Sequence, residues 1–176
     1  EGKKTLTMEY FYRDMRKKYN IMMVNDKDPE GGKWNFDHSN RKKWKGEPEI
    51  PHERGFRTDL SEIHKMVKDA GIKTIGSVDA ENFNWPTSRP DALSVLNYFC
   101  SNLLKYFGDY QDAMDPDQAY LFHSRLSFAM NSKMLSPKEV INTVLEHYYE
   151  HKDDIDISQV EGFIRQILGW REYMRG

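Results

Sequence analysis

Three short strings limit this chain more than anything else in it: Ser88-Arg89-Pro90-Asp91, Ser136-Pro137-Lys138-Glu139 and Ser158-Gln159-Val160-Glu161. Each sets a hydroxyl ahead of a carboxylate three residues on, so that each side chain satisfies a backbone amide the other leaves free, and two add a proline inside the first turn. Apolar residues at helical spacing follow each start. Leu93, Leu96, Phe99, Cys100, Leu103 and Leu104 make one stripe to about Tyr106; Val140, Ile141, Val144, Leu145 and Tyr148 make a second; Val160, Phe163, Ile164, Ile167 and Leu168 make a third. Alternating strand patterns are nearly absent, with only Ile21–Val24 and Ile72–Ile75 as short candidates. The fold class is therefore all-α, a helical bundle.

Two further helices are expected. Leu6 to Tyr19 carries Met8, Phe11, Tyr12 and Met15 at helical spacing with Arg16, Lys17 and Lys18 in its last turn, and a short helix from Asp59 presents Leu60, Ile63, Met66 and Val67 before a stop at Gly71. Gly108-Asp109 reads as the break after the long helix. Between the first two helices, residues 25–57 hold Asp-Pro, Gly31-Gly32, Glu-Pro and Ile-Pro and no apolar period, so they form a long irregular connection. Trp34, Phe36 and Trp44 favour a packed connection over a loose one.

Composition narrows the function classes. A chain of 176 residues holds one domain or a piece of one. Its single cysteine, Cys100, rules out an internal disulfide and any all-cysteine cluster built from this chain alone, and its place in the first stripe makes it core rather than a reactive thiol. No apolar run reaches the ~18–20 residues of a membrane span, and the opening Glu-Gly-Lys-Lys is unlike a signal peptide, so a cytoplasmic protein is expected. The missing initiator methionine suggests a start inside a longer chain. Residues 1–57 hold 14 Lys and Arg against 10 Asp and Glu; the totals of 26 and 28 leave 12 against 18 for the rest. Such a distribution allows a local polyanion contact, not bulk phosphate binding.

Several groups carry chemistry with two readings each. Gln166, Trp170 and Tyr173 share a helix face beside Gly169, which suits either a flat ligand or a neighbouring helix. His123-Ser124-Arg125-Leu126-Ser127 offers hydroxyls and a histidine at a helix start, for phosphate binding or for plain capping. Asp109, Asp112, Asp115 and Asp117 form an acidic turn without calcium-loop spacing. His147 and His151 stand four apart without a third ligand. No nucleophile elbow, P-loop or dinucleotide fingerprint occurs.

Taken in order, several segments resemble the deoxyribodipyrimidine photolyase-related family, the prokaryotic (6-4) photolyase branch of the photolyase and cryptochrome superfamily. They are Phe11-Tyr12-Arg13-Asp14-Met15-Arg16, Gly31-Gly32-Lys33-Trp34-Asn35-Phe36-Asp37, Asn84-Trp85-Pro86-Thr87, Phe107-Gly108-Asp109-Tyr110-Gln111-Asp112-Ala113-Met114, His123-Ser124-Arg125-Leu126-Ser127 and Glu161 through Tyr173. The resemblance implies that the chain is the N-terminal half of a helical FAD-binding domain, residues 58–176, preceded by an interdomain helix and linker, residues 1–57. It implies FAD contacts at Tyr110, His123, Ser124, Leu126, Ser127 and Arg171, and contacts to a flipped-out lesion of UV-damaged DNA at Trp170 and Gln166. It further implies an antenna domain upstream and the rest of the flavin pocket downstream, so that the fragment alone neither holds FAD tightly nor repairs DNA. A family cysteine of an iron-sulfur cluster falls where this chain has Ile141, and Cys100 does not replace it, so the family's four-cysteine cluster is not expected. The alternatives are a cryptochrome-like flavin photoreceptor and a helical interaction module without flavin.

Overall fold

The computed structural model describes residues 7–176, and Leu6 of the first expected helix lies outside them. Helix α1 spans Met8–Tyr19 and ends on Asn20 in the left-handed conformation. After the connection come α2, Ser61–Asp69, and α3, Arg89–Tyr98, which passes through a π-helical stretch, Phe99–Leu103, into α4, Leu104–Tyr110. A short α5, Ser127–Asn131, precedes α6, Pro137–Glu150. The last run is α7, Ile157–Ile164, a π-helical stretch, Arg165–Arg171, and α8, Glu172–Arg175. Among the described residues there is no strand, only the isolated pairings Met23 with Pro29 and Thr58 with Phe83.

At two of the three helix starts the expected serine caps the helix, while Glu139, the expected reciprocal partner of Ser136, accepts from Arg89 at 3.1 Å instead. Ser88 and Ser136 each accept a hydrogen bond from the amide three residues on, and Ser88 Oγ also donates to Asp91 at 2.7 Å. The third start is corrected. Asp156 caps α7 by accepting from the Ser158 amide at 2.8 Å, while Ser158 and Glu161 are buried inside the helix. The box expected of Ser158 and Glu161 does not close because the Glu161 carboxylate is taken by the Tyr12 hydroxyl and the Phe36 amide. All five residues of the third stripe are buried, and Phe163 meets Phe99 and Phe107 with ring centroids 4.6 and 5.2 Å apart.

Gly108 is a second correction. Instead of breaking a helix it lies inside α4, buried at the crossing with α7, where a Cβ would come within 2.8 Å of the Gln159 backbone. Gly162 of α7 faces it: a Cβ there would lie 3.3 Å from the Gly108 Cα. The missing side chains let the two backbones touch, so glycine here serves close approach rather than termination. Asn40 threads into the same crossing from the connection and donates to the Ser158 carbonyl at 3.0 Å.

The connection from Asn20 to Arg57 is irregular but fixed. Arg16, fully buried, donates to the carbonyls of Ile21, at 3.2 Å, Trp34, at 2.9 Å, and Met22. Glu161, also fully buried, accepts from the Tyr12 hydroxyl at 3.0 Å and from the Phe36 amide at 2.9 Å, with the Arg165 guanidinium 3.5 Å away. Burial, the largest influence, raises the pKa of Glu161 even against that cation. These contacts join α1, the connection and α7 into one body.

Candidate functional site

A groove of about 310 Å3 opens where the connection crosses the helical body. One wall is His123, Ser124 and Arg125; the other is the segment Ile50-Pro51-His52-Glu53-Arg54; Val95, Tyr98 and Leu103 give the floor an apolar side. The loop that carries His123 and Ser124 lies between two left-handed residues that are not glycine, Leu121 with φ 43° and Arg125 with φ 57°. Such backbone is costly, and it persists only where surrounding contacts hold it.

Those contacts are visible. The Arg125 guanidinium stacks over the rings of Trp85, 4.7 Å away, and Tyr120, 4.1 Å away, and donates to the Glu53 carboxylate at 2.6 Å. Its side chain is only 10% exposed, and its Nε is buried without a hydrogen-bond partner. The His123 ring packs edge-on against Phe107 with centroids 6.3 Å apart, and burial, outweighing the charge of Asp112, lowers its pKa. At neutral pH it is therefore a neutral hydrogen-bonding group. Ser124 Oγ accepts from the Leu126 amide at 3.4 Å, a turn contact rather than a helix cap, and no side chain caps α5.

The remaining expected site residues distribute elsewhere. Leu126 is fully buried in the core, and Ser127 is exposed at the first position of α5. Tyr110 packs on Phe122, with centroids 5.0 Å apart, and its hydroxyl donates to the Glu47 carbonyl at 3.3 Å. Gln166, Trp170 and Arg171 come together with Met174 along a second, open depression of about 540 Å3. Trp170 is 45% exposed there, Gln166 donates to Gln111 at 3.2 Å, and Arg171 donates to Asn131 at 2.9 Å. Arg171 Nε is a further buried donor without a partner. Gly169 has a packing explanation: a Cβ would lie 2.9 Å from Met8 Sδ and 3.4 Å from Tyr12, so α1 is what approaches it.

Other candidates are quiet. Cys100 is buried, which pushes its thiol up to about 12 and makes a thiolate rare at neutral pH. Asp109 pairs with Lys42 at 2.8 Å, and His147 stacks on His151 with centroids 4.2 Å apart. Among the described residues no group of three or more metal-ligating side chains assembles. Nor, among them, is any helix long and apolar enough to cross a membrane.

The residues that sequence reasoning missed are Glu53, Arg125 and Trp85 in this role, with Tyr98 beneath them. The prolines at 48 and 51 were readable only as part of an irregular connection, and nothing local tells which face of the bundle such a connection crosses.

The helical body agrees with the all-α class expected from the sequence, and comparison with known proteins points to a family. The model of the deoxyribodipyrimidine photo-lyase-related proteins matches residues 1–85. The chain is 41% identical over 177 residues to a (6-4) photolyase of Agrobacterium fabrum, covering 99% of this chain and 34% of that protein. It is also 44% identical over 66 residues, 38% of this chain, to an uncharacterised protein of Acanthamoeba polyphaga mimivirus, half of which is covered. The chain is thus a relative of the photolyase-related proteins and spans about a third of the length of the photolyase it matches.

Proposed function

We propose that this chain is the first part of the flavin-binding domain of a light-dependent DNA photolyase. In this reading residues 1–57 form the linker from an antenna domain, and residues 58–176 the phosphate side of an FAD site together with the helix that meets the lesion. The observation that carries the reading is the identity to a (6-4) photolyase sustained over 99% of the chain.

The chain's own residues fit the phosphate-bearing end of FAD. The groove supplies a hydroxyl at Ser124, a neutral ring at His123 and a buried cation with a free donor at Arg125. Its volume lies at the low end of the ~300–1,000 Å3 usual for ligand pockets, which suits one end of a dinucleotide better than the whole. When bound, FAD supplies the electron for repair, and the protein supplies position and electrostatics. Trp170 presents an exposed aromatic face on which a flipped pyrimidine would stack, a contact worth ~1–3 kcal/mol, and Gln166 offers an amide beside it. With only part of the pocket walls, residues 1–176 alone meet the ordering cost of FAD with too few contacts and neither retain it nor repair DNA.

The test uses a photolyase-type protein that contains this chain. Ser124→Ala with Ser127→Ala should lower flavin occupancy, read from absorbance near the flavin bands, and unchanged occupancy would remove the phosphate-site assignment. In the same protein Trp170→Ala should weaken binding to (6-4)-lesion DNA by 10-fold or more while flavin occupancy holds. Loss of neither property would favour a light sensor or a helical interaction module.

A further inference from the structure

The segment Glu47–Arg54 crosses the groove as a strap fixed at both ends. Upstream, the Tyr110 hydroxyl donates to the Glu47 carbonyl at 3.3 Å and the Trp44 indole to the Pro48 carbonyl at 2.9 Å. Downstream, Phe56 donates to the Asn84 side chain at 2.8 Å, and Thr58 and Phe83 exchange backbone hydrogen bonds of 3.2 and 3.0 Å. Gly55 lets the strap lie this close, since a Cβ there would collide with the Asn84 amide oxygen. Between these anchors, three side-chain contacts hold the strap to the body: Tyr98 to the His52 carbonyl, Arg125 to one Glu53 oxygen at 2.6 Å, and Asn84 to the other at 3.4 Å.

The pairing of Glu53 with Arg125 is unequal. Arg125 is nine-tenths buried and stacked on two rings, whereas the Glu53 side chain is 46% exposed. A buried guanidinium needs an anion, because leaving it unpaired costs far more than a surface ion pair gains. A half-exposed carboxylate regains water easily when it leaves. The fixed partner is therefore the cation, and the exchangeable one is the carboxylate.

We propose that Glu53 is an internal stand-in for a phosphate group: Arg125 is the anion-binding residue of the groove, and the strap must release Glu53 before a phosphate-bearing ligand pairs with Arg125. The proposal rests on the reading of the groove as a phosphate site, and it adds to that reading a residue and a competition that regulate entry. Exchange of one oxyanion for another at Arg125 forms and breaks no covalent bond. Planar guanidinium geometry suits bidentate pairing with phosphate, and the unpartnered Nε supplies a donor that the Glu53 contact leaves unused.

The test needs only residues 1–176 and inorganic pyrophosphate as the probe. Binding is followed through Trp fluorescence, since Trp85 lies against Arg125, and hydrogen exchange reports on residues 47–56. Glu53→Gln should bind pyrophosphate about tenfold more tightly than the parent chain at low salt. It should also speed exchange in the strap, while its circular dichroism stays unchanged. Arg125→Lys, which keeps a charge but loses the fork, should bind several-fold more weakly than the parent. Equal affinity of Glu53→Gln and the parent overturns the competition. Faster strap exchange in Glu53→Gln without any pyrophosphate binding overturns Arg125 as an anion receptor. The flavin reading is judged separately, because Ser124→Ala with Ser127→Ala in the longer protein leaves Glu53 and Arg125 untouched.

Discussion

The connection Asn20–Arg57 and the segment built around α2 invert what their sequences advertise. The connection has no apolar period, yet it buries Met22 and Asn40, its carbonyls accept from fully buried Arg16, and its Phe36 amide donates to fully buried Glu161. Helix α2 has a clean period, with Ile63, Met66 and Val67 on one face, yet buries none of its residues; Ile63 is 56% and Met66 65% exposed. Periodicity thus reports local conformation and says nothing about whether a partner covers the apolar face. Order in the connection comes from saturating long-range polar contacts, which have no period at all.

Substitutions can break this contrast in order of size. Arg16→Ala removes a donor from three carbonyls, of which only that of Met22 keeps the Glu30 amide, and leaves a cavity beside Trp34, so it should cost about 3–5 kcal/mol in denaturant unfolding. A cost under about 1 kcal/mol would mean that the connection is not held through Arg16. Gly108→Ala pushes a methyl into the backbone of α7 and should cost about 2 kcal/mol, although alanine is the better helix former. On α2 the expectation reverses. Ile63→Ser and Met66→Ser should each stay within about 0.5 kcal/mol of the parent, since neither side chain leaves a core.

A pH series sharpens the contrast at the groove, where connection and body meet. Burial lowers the pKa of His123 below the ordinary 6.5, and burial with the charge of His151 lowers that of His147. As pH falls through about 6.5 the unfolded chain takes up protons that the folded chain refuses, so stability should decline with acidification in that range. Glu161 acts in the opposite sense at lower pH, because its raised pKa lets the folded chain hold a proton first. His123→Gln should flatten the decline, read as unfolding midpoints at pH 7.5 and 5.5, and an unchanged slope would remove His123 as its source.

What the sequence made legible follows the same division. The caps at Ser88 and Ser136 and the three core stripes rest on neighbours within four residues, and they form as expected. Cys100 was readable as core for the same reason. The α7 cap was misplaced by two residues, because Asp156 and Ser158 are both good caps and local chemistry does not choose between them. Gly108 looked like a stop, since a glycine that admits a partner helix and one that ends a helix are the same letter. In the groove, His123 and Ser124 were found from their string. Glu53 was not, because its role depends on a contact 72 residues away in sequence.

The groove exists only if the connection is a fixed wall rather than a tether. Native-state amide hydrogen exchange on residues 1–176 measures this directly. The amides of Ile21, Phe36, Asn40 and Lys42, each bonded in the connection, should be protected more strongly than those of α2, Ser61–Asp69, despite the helix. Exchange in the connection as fast as in α2 would contradict it, and the groove would then lack the wall on which its reading depends.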